Sequence, residues 1–325
     1  MKLKKQLPVL DGSSWMIGPN PDLSALGTAG KNPQECVDHH IFQGLDEKWH
    51  LWACIRNTPV GRVIYHWEAD SLEQESWKQT GEMIRADRSA GECLNGGNGE
   101  QLMSPFVVFD NEQFYMFYSG TDIGDTGPSD DLHLTGAKGL CQMCLQTSPD
   151  GRTWTRHKNE EGFSRVFLGP GNVRDPSLIQ IDGVWHMYYA GYTGDDRMNA
   201  GTYLRTSTNL VDWSDWKLVH YSEHFHHHPY MAESPAVVEK DGLYYLFLTE
   251  NYQNGRTYVF CSDDPTDLGV EGSDDYDVNR YFVGIIPVAA PEIIVDEKTG
   301  QEYITTCIDL SGGVRMHRLK WVPRY

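Results

Sequence analysis

The stretch VRDPSLIQIDGVWHMYYAG, residues 173–191, decides how this chain is built. An Asp-Pro pair opens it, an apolar run follows, Asp182-Gly183 turns the chain, and an aromatic-rich run returns. Asp-Gly between two apolar runs is the strongest short-range hairpin signal a sequence carries. Pro176 biases Asp175 toward extended backbone, which predicts that Asp175 heads a two-stranded ribbon. The layout recurs four times. Asp38 heads VDHHIFQGLDEKWHLWAC, Ser104 heads MSPFVVFDNEQFYMFYSG, Glu233 heads AESPAVVEKDGLYYLFLTEN and Ala290 heads AAPEIIVDEKTGQEYITTCI. The five anchors stand 66, 71, 58 and 57 residues apart.

Units of this length hold about four short strands, which is one propeller blade. Later turn segments ending near Trp77, Trp154 and Trp213 supply the outer strands. Five units predict an all-β chain folded as a five-bladed β-propeller. Residues 1–325 would form one domain, with residues 1–30 as an extension that adds a strand to the last blade and hides its edge. No run carries the i, i+3, i+4, i+7 apolar spacing of a long helix.

Composition narrows the partners. The 325 residues carry 27 Lys plus Arg against 46 Asp plus Glu, a net charge of −19. Such a surface repels phosphate backbones and anionic lipid, which argues against nucleic acid and membrane as partners. The seven cysteines are an odd number without framework spacing. Cys141 and Cys144 form a CxxC within a strand, where a spacing of three sends the side chains to opposite faces. Free buried thiols are expected, not a metal or redox centre. The start lacks an apolar signal-peptide core, and no 18-residue apolar run is present. Cytoplasmic residence is expected, or secretion if a leader has been removed. Neither cofactor nor metal is expected, and the sequence leaves the oligomeric state open.

In a propeller the innermost strands start at one mouth of the central channel, so equivalent anchors converge there. Asp38, Asp175 and Glu233 place carboxylates at three of the five. Any one of them alone is an ordinary turn residue. Three together repel one another, which points to function. Paired carboxylates flanking a sugar bond are the usual tools of glycoside hydrolysis, one protonated to donate to the leaving oxygen and one ionised. A third can hold up the acid's pKa by like-charge repulsion.

These residues resemble the five-bladed propeller glycosidases, the set that includes glycoside hydrolase families 43, 32, 68 and 117. VDHHI matches the Asp that begins the first inner strand, VRDPSL the Arg-Asp-Pro motif of the family 32 side, and AESPAVV the Glu-x-Pro motif around the family 43 acid. The resemblance covers the repeats from about residue 30 onward. It implies Asp38 as general base, Glu233 as general acid, and Asp175 as pKa modulator and substrate orienter. The Trp-Met-Asn-Asp-Pro-Asn opening of invertase-like enzymes is absent, because His39 and His40 follow Asp38. That argues against a fructosidase and its retaining mechanism. The Asp-Pro-His of family 43 is missing there too. An inverting enzyme is expected, with about 6.5–9.5 Å between the Asp38 and Glu233 carboxyls.

Arg174, His39, Ser104, Trp52 and the loop histidines His226 and His228 are the expected substrate-binding residues. His224, His226, His227 and His228 sit in a connector before Glu233; clustered histidines in a loop lack the fixed geometry of a metal site. In family 117 a His is implicated as the acid, which keeps this loop in play for that role. Trp15, Trp52, Trp67 and Tyr230 are candidate sugar platforms, whereas Trp185, Tyr188 and Tyr189 fit packing between blades. The first expectation is an exo-acting hydrolase releasing terminal sugars from plant or algal oligosaccharides, arabinofuranosidase- or xylosidase-like. The alternatives are a family 117-like agar or galactan exo-glycosidase, a glycoside phosphorylase, and a carbohydrate-binding propeller without catalysis.

Overall fold

The computed structural model describes residues 4–28, 30, 32–93, 99–121, 141–192, 200–222, 233–270, 280–308, 310 and 312–324. The chain opens with β1 (Gln6–Gly18). The first repeat is β2 (Glu35–Gln43), β3 (Trp49–Thr58), β4 (Gly61–Ala69) and β5 (Lys78–Ile84). The second is β6 (Glu100–Asp110), β7 (Gln113–Thr121), β8 (Cys141–Ser148) and β10 (Arg165–Leu168), with a short β9 (Thr155–Arg156) beside β8. The third is β11 (Arg174–Ile181), β12 (Val184–Tyr192), β13 (Ala200–Ser207) and β14 (Lys217–His220). The fourth is β15 (Glu233–Lys240), β16 (Leu243–Asn251), β17 (Arg256–Ser262) and β18 (Phe282–Ile286). The fifth is β19 (Ile293–Asp296), β20 (Gln301–Thr306) and β21 (Val314–Pro323), and β1 supplies its outermost strand beside β21. The N-terminal extension thus adds the strand expected of it.

The inner hairpins close as their sequences predict. Asp182 and Gly183 have φ of 49° and 78°, Asp241 and Gly242 53° and 77°, and Asn111 and Glu112 47° and 61°. Positive φ at both central residues defines a type I′ turn, whose twist matches that of the flanking strands.

The anchors show a second regularity. Asp38, Ser104, Asp175, Ser234 and Ala290 all sit in the left-handed region, with φ of 36°, 51°, 57°, 50° and 47°. The ladder slips between Val37 and His39, between Met103 and Phe106, and between Glu233 and Ala236. Each slip is a bulge that leaves one residue out of the pairing and re-aims its side chain. Two expectations are corrected here. Asp175 is not extended: its φ of 57° goes against the local bias of Pro176, at the cost of backbone strain that persists only where surroundings hold it. Nor is Glu233 the fourth equivalent of Asp38; Ser234 holds that backbone position, and Glu233 precedes it by one residue.

Two compact units divide the chain, Met16–Asp175 with Leu310–Val314, and Pro176–Asp309 with Met1–Trp15 and Arg315–Tyr325. In the first, the sheets of repeats one and two join through a short parallel contact that registers Gly61 with Glu100 and Arg62 with Gln101. Gly61 has φ 112°, and a Cβ there would lie 2.3 Å from the Glu100 carbonyl oxygen, so only glycine permits the seam. Trp52, Ile64, Leu102, Val107, Phe114, Met116 and Tyr118 pack the core beside it. A buried polar network reinforces it: Glu92 accepts from the Tyr118 hydroxyl, from Ser164 Oγ at 3.0 Å and from the Asp87 amide at 2.8 Å, and pairs with Arg156 at 3.1 Å.

In the second unit, Tyr188, Leu204, Val237, Leu246, Tyr258 and Phe260 form one core cluster, and Tyr245, Phe247, Val259, Ile304 and Leu319 contribute to another. Tyr188, Tyr189 and Trp185 are buried, as expected of packing residues. The Val237 amide donates to Ser177 Oγ at 3.0 Å, which stitches repeat four to repeat three. All seven cysteines are free and buried. Cys141 and Cys144 fall in different clusters, as their opposite faces require.

Candidate functional site

The left-handed anchors of repeats one to three, Asp38, Ser104 and Asp175, lie in the unit of residues 16–175, and there the side chains can be followed. Asp175 is 7% exposed. Ser104 Oγ donates to its Oδ1 at 2.5 Å, and Arg174 Nε stands 3.7 Å from its Oδ2. Both carboxylate oxygens therefore face a donor or a cation, and the two left-handed anchors hold each other through that hydrogen bond. Asp38 is half-buried. His39, which follows it, is 3% exposed. Burial pushes the His39 imidazole down to about 3, with His40 adding to the effect. The His40 ring lies on Phe106, centroids 3.8 Å apart.

Beneath these residues is a floor of Val37, Cys54, Met103 and Cys141, with Leu310 against it. Cys54 donates to the Leu102 carbonyl at 3.4 Å. Burial pushes its thiol up to about 12; Arg62 and Arg56 oppose that push, while the charges of Asp38 and Asp175 add to it. One thiol thus lies in the field of both anchor carboxylates. Arg56 is paired with Glu35 at 2.5 Å. Arg62, at the seam, is 8% exposed, and its Nη1 lies 2.7 Å from Met103 Sδ.

Glu233 belongs to the other unit. It is half-buried and registers with Thr249. Ser234 and Tyr252 share a hydroxyl–hydroxyl bond of 2.5 Å, and Glu250 pairs with Arg256 at 2.8 Å, one strand away.

Of the residues expected from sequence, Asp38, His39, Ser104, Arg174 and Asp175 are gathered in one unit. Trp52 is corrected: it is 1% exposed, stacked on His66 at 4.4 Å with Trp154 edge-on, and so has a core role with no free face for a sugar. Trp67 is likewise buried, and Trp15 packs edge-on against Tyr303. His226 and His228, with His224, His227 and Tyr230, lie outside the described residues. Ser234, Tyr252 and Arg62 were missed. Ser234 had a signal, since it precedes a proline as Ser104, Asp175 and Ala290 do. Tyr252 and Arg62 had none, because strand pairing alone brings them to the anchors. Among the described residues, no group of three or more His, Cys, Asp or Glu is placed to hold a metal ion, and no helix is long and apolar enough to cross a membrane.

Comparison with known proteins agrees with this layout. Residues 40–303 match the family described as Glycosyl hydrolases family 32 N-terminal domain. A 1,2-β-oligomannan phosphorylase from Thermoanaerobacter sp. (strain X514) is 27% identical over 107 residues. That match spans 33% of this chain and 34% of the phosphorylase, about a third of its length. Among solved structures, a thermostable family-43 glycoside hydrolase superposes with TM-score 0.61 at 17% identity, covering 91% of each chain. The Bombyx mori family 32 β-fructofuranosidase gives 0.60 at 15%, covering 99% of this chain and 65% of that one. A family-43 β-xylosidase/α-arabinofuranosidase from a compost microbial metagenome, solved with xylotriose, gives 0.58 at 14%, covering 92% and 96%. The fold class is the all-β, five-bladed β-propeller that the repeat predicts.

Proposed function

Since this chain belongs to the family of the glycosyl hydrolases family 32 N-terminal domain, we propose that it is an exo-acting glycoside hydrolase that removes terminal sugars from plant or algal oligosaccharides. Its substrates would be of the arabinofuranoside or xyloside type, cleaved with inversion. One observation carries this above a binding role: Asp175 is clamped by Ser104 and Arg174, at a left-handed anchor equivalent to that of Asp38 in a separate repeat. The solved family-43 neighbour that holds xylotriose supports an oligosaccharide ligand.

In this scheme Asp38 takes a proton from water as the water oxygen attacks the anomeric carbon. Glu233 gives its proton to the leaving glycosidic oxygen as that bond breaks. Asp175, oriented by Ser104 and Arg174, binds sugar hydroxyls. His39, held neutral by burial, offers a hydrogen bond to the sugar without adding charge.

Phosphorolysis is a second possibility, favoured by the match to the oligomannan phosphorylase and by the guanidiniums of Arg56, Arg62 and Arg174 around the floor. A panel of aryl-glycosides and natural oligosaccharides, incubated with and without inorganic phosphate, tests both. Free sugar in either condition, with the inverted anomer seen first by NMR, supports the hydrolase. A phosphate-dependent sugar 1-phosphate overturns it in favour of phosphorolysis. Sugar binding without turnover at any pH, unchanged in Asp38→Asn, leaves only the binding role.

A further inference from the structure

Tyr252 holds the fourth anchor, and nothing in the scheme above uses it. Ser104 and Ser234 are both serines before a proline, with φ of 51° and 50°. Ser104 gives its hydroxyl to Asp175, the anchor of the next repeat. The anchor after Ser234 is Ala290, which offers no polar side chain. The Ser234 hydroxyl instead shares a bond of 2.5 Å with that of Tyr252.

Tyr252 is delivered from a fixed turn between β16 and β17. There the Asn254 amide donates to Asn251 Oδ1 at 2.9 Å. Gly255, at φ 59°, lies so close to Ile308 that a Cβ would come within 2.1 Å of its Cδ1. The strand leading into the turn is pinned as well. Thr257 gives its hydroxyl to the Val288 carbonyl at 2.7 Å, so the Thr249 hydroxyl donates to Thr257 at 3.1 Å and accepts from the Ala290 amide at 2.9 Å. Thr249 is the residue with which Glu233 registers across the ladder. Pairing resumes at Ala236 and Phe247, so Ser234 and Pro235 together oppose Leu248. A bulge of this kind sets the direction of the side chain beside it.

We infer that Tyr252 is a positioning residue: its hydroxyl holds Ser234 in the left-handed bulge and so aims the carboxyl of Glu233, the residue before it. A non-glycine residue keeps such a backbone only where its surroundings hold it, and Pro235 biases Ser234 toward extended backbone. Released from Tyr252, Ser234 relaxes that way. The peptide plane it shares with Glu233 rotates, and the Glu233 carboxyl moves with it. Thr249 keeps the facing strand in place, so the change falls on the bulge and not on the sheet.

The inference rests on Glu233 as the acid, and its test separates the two. In a crystal structure of Tyr252→Phe, Ser234 should leave the left-handed region and the Glu233 carboxyl should shift by about 1 Å, enough to slow a reaction tenfold or more. Turnover is then compared on two substrates of one sugar, xylobiose and dinitrophenyl xyloside, or their arabinofuranosyl counterparts. The leaving oxygen of the first needs a proton; that of the second departs without one. Glu233→Gln should lose at least about a hundredfold in kcat on xylobiose and little on the aryl glycoside. Tyr252→Phe should show the same pattern at about tenfold, with KM nearly unchanged. Ser234→Ala removes the bond from its other end and should match it, the double variant losing no more than either; it also serves if Tyr252→Phe does not fold. Equal losses of Tyr252→Phe on both substrates, or an unmoved Ser234 and Glu233, overturn the inference. Equal losses of Glu233→Gln remove the acid assignment instead, and the crystal structure still decides whether Tyr252 aims Glu233.

Discussion

Mild acid should weaken this protein through its buried histidines. Burial pushes His39 and His66 down to about 3, and His220 down to about 4. For His66, the neighbouring His50 and Arg152 push the same way. Unfolded, each imidazole titrates near 6.5. The unfolded chain therefore binds more protons than the folded one between pH 6.5 and about 3–4, so stability rises with pH across that window and falls on acidification. Each histidine contributes about 1.4 kcal/mol per pH unit there, so lowering the pH from 6.5 to 5 costs about 2 kcal/mol per residue. Together the three reach about 6 kcal/mol, comparable to the whole stability of an ordinary domain. Urea unfolding followed by tryptophan fluorescence and circular dichroism at pH 7, 6 and 5 measures this. His220→Asn, whose amide nitrogen matches the Nδ1 position and can still donate to the Leu268 carbonyl, should flatten the pH dependence by about a third. A midpoint constant from pH 7 to 5 would refute the reasoning, because carboxylates contribute little above pH 5.

Three further perturbations address the site and its frame. Ser104→Ala removes the donor to Asp175 and should cost about 1.5–3 kcal/mol of transition-state stabilisation, roughly ten- to a hundredfold in kcat/KM, and should also lower the melting temperature because a buried acceptor loses its donor; an unchanged kcat/KM would show the bond to be incidental to turnover. Gly61→Ala puts a Cβ against the Glu100 carbonyl at a φ that only glycine tolerates, and should destabilise by at least about 2 kcal/mol in denaturant titration. Arg156→Met leaves Glu92, which is fully buried, without its cation, and should cost about 3–5 kcal/mol; equal stability would mean that Tyr118 and Ser164 suffice.

How much of this was legible depends on range. The period of the anchors, the Asp-Gly turns and the alternation of the strands are local patterns, and each states its own geometry. From them the all-β repeat and a strand contributed by residues 1–30 could be read before any coordinates. The register of the fourth anchor was legible as well, in the proline that follows Ser234, but the chemistry of Glu233 drew attention one residue too early. Trp52 was misassigned because an aromatic residue on a strand reads alike whether it faces sugar or core; the neighbouring histidine and Trp154 decide.

Sequence alone determined the places where the strands turn and which residues stand at four of the five anchors, since hairpin twist and two-residue periodicity act over a few neighbouring residues. Only tertiary structure decided that the four anchors followed by proline adopt left-handed backbone against its bias, and that Ser104 clamps Asp175 across 71 residues of chain. Those outcomes depend on which strand lies beside which, and side chains far apart in the chain share one electrostatic field only after the sheets have paired.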